Sequence, residues 1–273
     1  MTGEIDSPWI TVPYKAPEVI TEQKSVPEIK ITEEFILDAD IYDLQDGWLW
    51  GPEVVWTLGG KEFMTGSTLW VWPYELAPGT HSFTCTATNS EGMGVSRDFS
   101  LRIIDDESDL PNDWSRADIV NALSNGFVVP LNRIDTQITR GQYASLMTVV
   151  YGTLAVYDDP YPDYEEDVVK DCGQDDYDQF LMVYLGVMDA PGGRFEPSKP
   201  LTQEEAALIL YRVISMADPD IVEADADTED IVEIFIYNDI IDEDGENAYA
   251  ATASLTNRLA LVRLSRLYSV LFE

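Results

Sequence analysis

Ile138-Thr139-Arg140-Gly141-Gln142, Leu201-Thr202-Gln203-Glu204-Glu205 and Leu255-Thr256-Asn257-Arg258-Leu259 are three versions of one phrase. An aliphatic residue is followed by threonine and then by a helix-forming run. The threonine hydroxyl is placed to accept a backbone N–H two or three residues on, one of the unpaired donors of a helix start. In the first two copies Gln142 and Glu205 complete the reciprocal capping box, whereas Leu259 leaves the third copy half capped. Apolar helices follow, over Tyr143 to Leu154, Ala206 to Ile214 and Leu259 to Leu271. A repeated unit of this size signals neighbours that stack to bury faces none of them buries alone.

Upstream of each phrase lies a second helical period. Ile119, Leu123 and Phe127 recur at i, i+4, within a run that begins at Trp114. Tyr177 to Leu185 and Ile231 to Tyr237 take the same place in copies two and three. Gly126 and Gly186 stand where those helices end, and glycine suits the left-handed residue that closes a helix. Asn238 takes that position in the third copy. Three helix pairs therefore fill 108–273, as copies of about 110–156, 165–217 and 225–273, and the acidic run Asp105 to Asp109 reads as the linker before them.

The first part of the chain has another grammar. Pro8, Pro13, Pro17 and Pro27 make residues 1–27 an extended arm or linker. From 28 to 107, short alternating runs such as Val54 to Thr57, Thr68 to Trp72, His81 to Ala87 and Phe99 to Ile103 are separated by Gly59-Gly60, Pro78-Gly79 and Asn89 to Gly92. That spacing predicts a β-sandwich. Trp48 with Trp50, and Trp70 with Trp72, are i, i+2 pairs, so each pair shares one face of a strand. Two readings stand: an aromatic surface on which a sugar or partner stacks, or burial in the sandwich or at a junction.

Charge narrows the function. The chain of 273 residues has 16 Lys and Arg against 51 Asp and Glu, a net −35. No basic stretch is available to neutralise phosphates, which argues against nucleic acid, and an anionic membrane surface is disfavoured for the same reason. No run approaches the roughly 18 apolar residues of a membrane span. Met1 leads into a polar, acidic segment, so no signal peptide is read, and an exported protein would be represented here by an internal piece. Cys85 and Cys172 fall in different predicted domains and are expected to stay free. His81 is the single histidine. The acidic loop Asp242 to Asn247 lacks the ligand spacing of a calcium loop, and Asp225, Asp227, Glu229 and Asp230 read as a charged connector. No nucleophile elbow, phosphate loop or zinc spacing is present. The expectation is a non-catalytic protein without metal or cofactor.

Two families resemble this pattern. Val55-Trp56-Thr57-Leu58-Gly59-Gly60-Lys61 and Leu76 to Gly92, with Phe83 two residues before Cys85, resemble strands C and F of an immunoglobulin-like domain lacking the disulfide. The repeats resemble the S-layer homology domain, most clearly through Leu185-Gly186-Val187-Met188, Gly193-Arg194-Phe195-Glu196-Pro197 and Leu201 to Ala206. Together they imply a fold class: an all-β immunoglobulin-like sandwich followed by an all-α three-repeat bundle. The second resemblance also implies a function. It is non-covalent anchoring of a bacterial surface protein to cell-wall polysaccharide, often pyruvylated, in grooves between repeats. The implied setting is extracellular, at the cell wall.

Site residues follow from the same resemblance. An arginine after the threonine would hold a pyruvyl carboxylate bidentately beside a helix start that favours anions. Copy one keeps it as Arg140, and Gln203 and Asn257 stand at the matching positions. Trp114 matches an aromatic at the start of the first helix and Gly126 the turn glycine. Arg258 comes one residue late, about 100° round the helix, and is not expected in the same groove. Opposing this, 108–273 carries about 32 acids against 10 bases. The alternative is a scaffold whose repeats have lost glycan binding and contact other surface-protein subunits.

Overall fold

The computed structural model describes residues 15–154, 169–173, 176–217 and 228–272. The chain divides into two compact units, Met1–Glu107 and Ser108–Glu273.

In the first unit, among the described residues, ten strands form three sheets. Strands β2 (Glu28–Lys30), β10 (Gly94–Ile104), β9 (Gly79–Thr88), β6 (Val54–Leu58) and β7 (Lys61–Thr65) lie side by side in that order. The long β9–β10 hairpin is antiparallel, but β2 runs parallel to β10, from Arg102 opposite Glu28 to Ile104 opposite Lys30. A second sheet pairs β3 (Phe35–Asp38) with β8 (Thr68–Val71), and a third orders β1 (Glu18–Val19), β4 (Ile41–Asp43) and β5 (Gly47–Trp48). Strand alternation turns Phe83, Cys85 and Ala87 inward on β9 and Val54 and Trp56 inward on β6, against Leu69 and Val71 of β8. Full burial of the larger of these, such as Phe83, Val54, Leu69 and Val71, contributes about 1.5–3 kcal/mol each. Trp56 places its indole N–H on the Gly66 carbonyl at 3.0 Å, and burial pushes the Cys85 thiol up to about 11.

The second unit holds six helices among the described residues: α1 (Arg116–Ser124), α2 (Arg140–Leu154), α3 (Tyr177–Tyr184), α4 (Gln203–Ala217), α5 (Thr228–Tyr237) and α6 (Asn257–Phe272). Thr139, Thr202 and Thr256 stand directly ahead of α2, α4 and α6. Thr202 and Glu205 exchange bonds of 3.0 and 3.1 Å, and Thr139 and Gln142 bonds of 3.1 and 3.3 Å. Thr256 accepts from the Leu259 N–H at 3.2 Å.

The three phrases also bind one another in a closed cycle. The N–H of Ile138 donates to Leu255, that of Leu255 to Leu201 and that of Leu201 to Ile138, at 2.9, 2.9 and 3.2 Å. One step further, Arg140 donates to Lys199, Gln203 to Ala253 and Asn257 to Thr136. Gly141, Glu204 and Arg258 donate in turn to Pro197, Ala251 and Ile134. Each helix thus passes two of its unpaired N–H groups to carbonyls of another copy. Ile138, Leu201 and Leu255 fill the centre of the ring, fully buried.

These pairings correct the expected fold class. The chain is mixed α/β, 34% helical and 25% strand, and is not an all-α three-repeat bundle after an all-β domain. Helical periodicity says nothing of the extended residues between helices. Those residues form β-bridges, Gln137 with Thr256, Thr139 with Pro200 and Thr202 with Ser254, which join the copies. In the first unit the parallel β2 makes the large sheet mixed.

Two further differences are local. Residues 1–14 of the expected arm lie outside the described residues, but 18–23 belong to the first unit. There Val19 is buried, Arg97 donates to the Val19 and Thr21 carbonyls, and Gln23 bonds the backbone of Ser100. In the third copy the left-handed residue is Asp239 (φ 58°), not Asn238, which still donates to Ile234 as a helical residue. The Ile240 N–H closes the turn onto Phe235, as Phe127 does onto Ala122 after Gly126 and Val187 onto Met182 after Gly186.

Candidate functional site

The strongest site lies between the first and second copies of the repeat. Helix α4 presents Glu205, Leu208, Ile209 and Arg212, an i, i+3, i+4, i+7 stripe, to a cavity of about 260 Å³. The loop 189–199 forms another wall, and Arg140 enters from the start of α2. The loop is held from beneath by Asp171, whose carboxylate accepts the N–H groups of Phe195 and Glu196 at 2.7 and 2.9 Å. Burial would raise the Asp171 pKa, and those two bonds hold it below the usual carboxylate value. Glu196 adopts φ 58° directly before Pro197, a conformation that costs a non-glycine residue energy. The loop also presses so closely on α2 that a Cβ at Gly141 would stand 3.2 Å from the Pro197 oxygen.

Arg140 is buried here, so it is no mere exposed residue at a helix start. Its Nε donates to the Phe195 carbonyl at 2.7 Å, one Nη to the Asp189 carbonyl at 2.6 Å, and its guanidinium lies 4.8 Å from the centre of the Phe195 ring. The other Nη makes no hydrogen bond to a described residue. Arg194, Lys199 and Arg212 join it around the cavity. Lys199 lies 3.8 Å from Glu205 and Arg212 3.3 Å from Asp189, both in partly exposed pairs. A chain with only 16 Lys and Arg therefore commits four of them to one cavity, against the acids Asp189, Glu196 and Glu205.

The two matching interfaces are filled by the protein itself. Gln203 is buried, and its side-chain oxygen accepts from the Ala250 N–H and from Arg263 of α6, at 3.1 and 2.8 Å. Arg263 also reaches the side-chain oxygen of Asn247 at 3.2 Å. It is buried against neutral acceptors, and that burial pulls its guanidinium down to about 10. At the remaining interface Asn257 donates to the Arg133 carbonyl and the Thr136 hydroxyl, at 3.0 and 3.2 Å. Arg258 clamps Asp135 with two bonds and Asp113 with a third. Trp114 donates its indole N–H to Glu246.

The residues singled out from the sequence therefore separate. Arg140, Gln203 and Asn257 occupy equivalent buried positions at three interfaces, and that of Arg140 opens onto the cavity of about 260 Å³. Trp114 lies at the interface of the third and first copies and does not line the cavity of Arg140. Gly126 (φ 82°) closes α1 and makes the turn. In the first unit Trp48 and Trp50 are 49% and 67% exposed, and Trp70 and Trp72 stack on each other at 4.7 Å. Sequence reasoning passed over Arg194, Lys199, Arg212 and Arg263. Arg194 stands inside the quoted loop motif, and Arg212 falls seven residues after Glu205, on the same helix face. Among the described residues no cluster could hold a metal ion, and no helix is long and apolar enough to cross a membrane. No family model matches the chain, and no curated protein matches it.

Proposed function

We propose that this chain is a non-catalytic bacterial surface protein, or part of one, that anchors to anionic cell-wall polysaccharide through the cavity between its first and second repeats. The observation that carries the reading is the gathering of Arg140, Arg194, Lys199 and Arg212 in a strongly acidic chain. A carboxylated sugar, such as one bearing a pyruvyl ketal, would meet a buried arginine with a spare N–H pair, while the surrounding cations offset the repulsion of a net −35 chain. The resemblance to S-layer homology repeats supports the same reading, with a setting outside the cell, at the wall.

Pull-down on purified cell-wall sacculi tests this. Arg194→Ala combined with Arg212→Ala is the informative variant, because these side chains line the cavity and touch the loop less than Arg140 does, Arg212 through the Val187 carbonyl and the exposed Asp189 carboxylate at 3.1 and 3.3 Å. Binding is expected to fall at least tenfold with the melting temperature little changed, and equal retention by variant and parent would refute the proposal. A second reading, a scaffold contacting other surface-protein subunits, is favoured by the two interfaces that the protein's own Arg263 and Arg258 fill. It predicts no retention on sacculi at all.

A further inference from the structure

We propose that the first unit carries a separate platform for a neutral, hydroxyl-rich glycan chain, on the outward face of strands β1, β3, β4, β5 and β8. The line from Ile36 to Tyr42 runs about 20 Å at the usual strand rise. Its side chains alternate: Leu37, Ala39 and Ile41 turn inward, while Ile36, Asp38, Asp40 and Tyr42 are exposed. The register brings aromatic partners to the same face. Trp70 lies opposite Ile36, with Trp72 stacked on it, and Trp48 lies opposite Tyr42, edge to face at 5.3 Å. Leu49 is buried, so Trp50 faces out with Trp48. Four of the seven tryptophans of the chain thus line this face, Trp48 and Trp50 exposed, Trp70 and Trp72 half-buried with the Trp70 indole N–H on Glu34 at 3.2 Å. With Ile36, Tyr42, Trp48 and Trp50 exposed together, the face carries the kind of apolar patch that marks a site of interaction.

The charge of that face selects the occupant. The five strands contain no lysine or arginine, while exposed carboxylates stand among the rings at Glu18, Asp38 and Asp40. A polyanion finds no counter-charge there. A second copy would set carboxylates against carboxylates. A polycation would bind a net −35 chain almost anywhere and needs no tryptophan array. A neutral glycan is the ligand this surface distinguishes from its surroundings: ring faces accept the apolar faces of sugars, and carboxylates accept hydroxyl donors in charge-assisted bonds. A strand face with rings towards both ends suits an extended polymer.

Native affinity electrophoresis of the full chain tests the proposal, in gels containing a soluble β-glucan, a galactomannan, alginate or poly-L-lysine. A neutral polymer is expected to retard the chain, and added salt should leave that retardation unchanged. The double variant Trp48→Ala, Trp50→Ala should weaken it at least tenfold with the circular dichroism spectrum preserved. Trp70→Phe, which keeps a ring, should weaken it less. The pair Arg194→Ala, Arg212→Ala should leave it intact, which separates this surface from the repeat cavity. The proposal fails if neither neutral polymer retards the chain, if retardation survives in the tryptophan variant, or if poly-L-lysine alone responds to that variant, which would assign the face to a basic partner.

Discussion

Replacing Glu205 with glutamine asks one residue two questions. Glu205 caps α4 through its Oε2, which accepts the Thr202 N–H at 3.0 Å, and it also lines the basic cavity. Copy one contains the control, because Gln142 makes the same reciprocal bond to Thr139 at 3.1 Å. Glu205→Gln should therefore keep the capping box. It loses the attraction of a carboxylate for a helix start, about 0.3–1 kcal/mol, and a half-exposed pair with Lys199 that is worth no more than about 1 kcal/mol. The expected cost is about 0.5–1 kcal/mol, a drop of about 1–4 °C in melting temperature for a unit of this size. In the cavity the change removes one of three acids facing four bases and releases Lys199. After solvent screening this gain is also about 1 kcal/mol, so an anionic ligand should bind about fivefold tighter. Calorimetric titration with pyruvylated wall-polysaccharide fragments at low ionic strength measures the affinity, and a thermal melt measures the stability. Unchanged or weaker binding with an intact melt would show that the charge of this cavity does not meet the ligand, and the anchoring argument would fall with it.

Two further outcomes test other parts of the structure. Asp239→Gly removes the strain of a non-glycine residue at φ 58° and should stabilise the chain by about 0.5–1 kcal/mol, read as a higher urea midpoint; destabilisation would contradict the turn described. Acid should expose the Arg258 cluster. Asp113 is held below its ordinary pKa by the Ser115 hydroxyl and then by Arg258, and Asp135 by Arg258. With folded pKa values depressed, their stabilising contribution is complete above the ordinary carboxylate value of about 4 and is lost as pH falls through the lower folded values. Arg258→Met should lower stability at neutral pH and flatten the loss on acidification below about pH 4, measured by urea titrations across that range.

Much of the local structure was legible because it rests on short-range chemistry. The N-caps of Thr139, Thr202 and Thr256 and the left-handed turns at Gly126 and Gly186 depend on residues within five positions of one another. The slip from Asn238 to Asp239 shows the limit, since either residue tolerates the turn and the end of α5 chooses between them. The cavity was half legible. Arg140 stood out by its place in the phrase, but its cationic companions come from a loop and a helix of another copy, and no local rule gathers them. Whether Trp114 and Arg140, both in the first repeat, share a groove was not legible in the sequence, and they face different neighbouring copies.

By itself the sequence determined where the threonine-capped helices α2, α4 and α6 start, that three units share one plan, which strand residues alternate, and that the chain carries a large negative charge. These follow from hydrogen bonding and steric preference within a few residues, together with simple counting. Only the tertiary structure decided that the three phrases close into a hydrogen-bonded ring, that β2 lies parallel to β10, and that one interface opens while two are filled by Arg263 and Arg258. Those outcomes depend on contacts between residues up to about a hundred or more positions apart, whose pairing is set by packing the whole unit rather than by any segment of it.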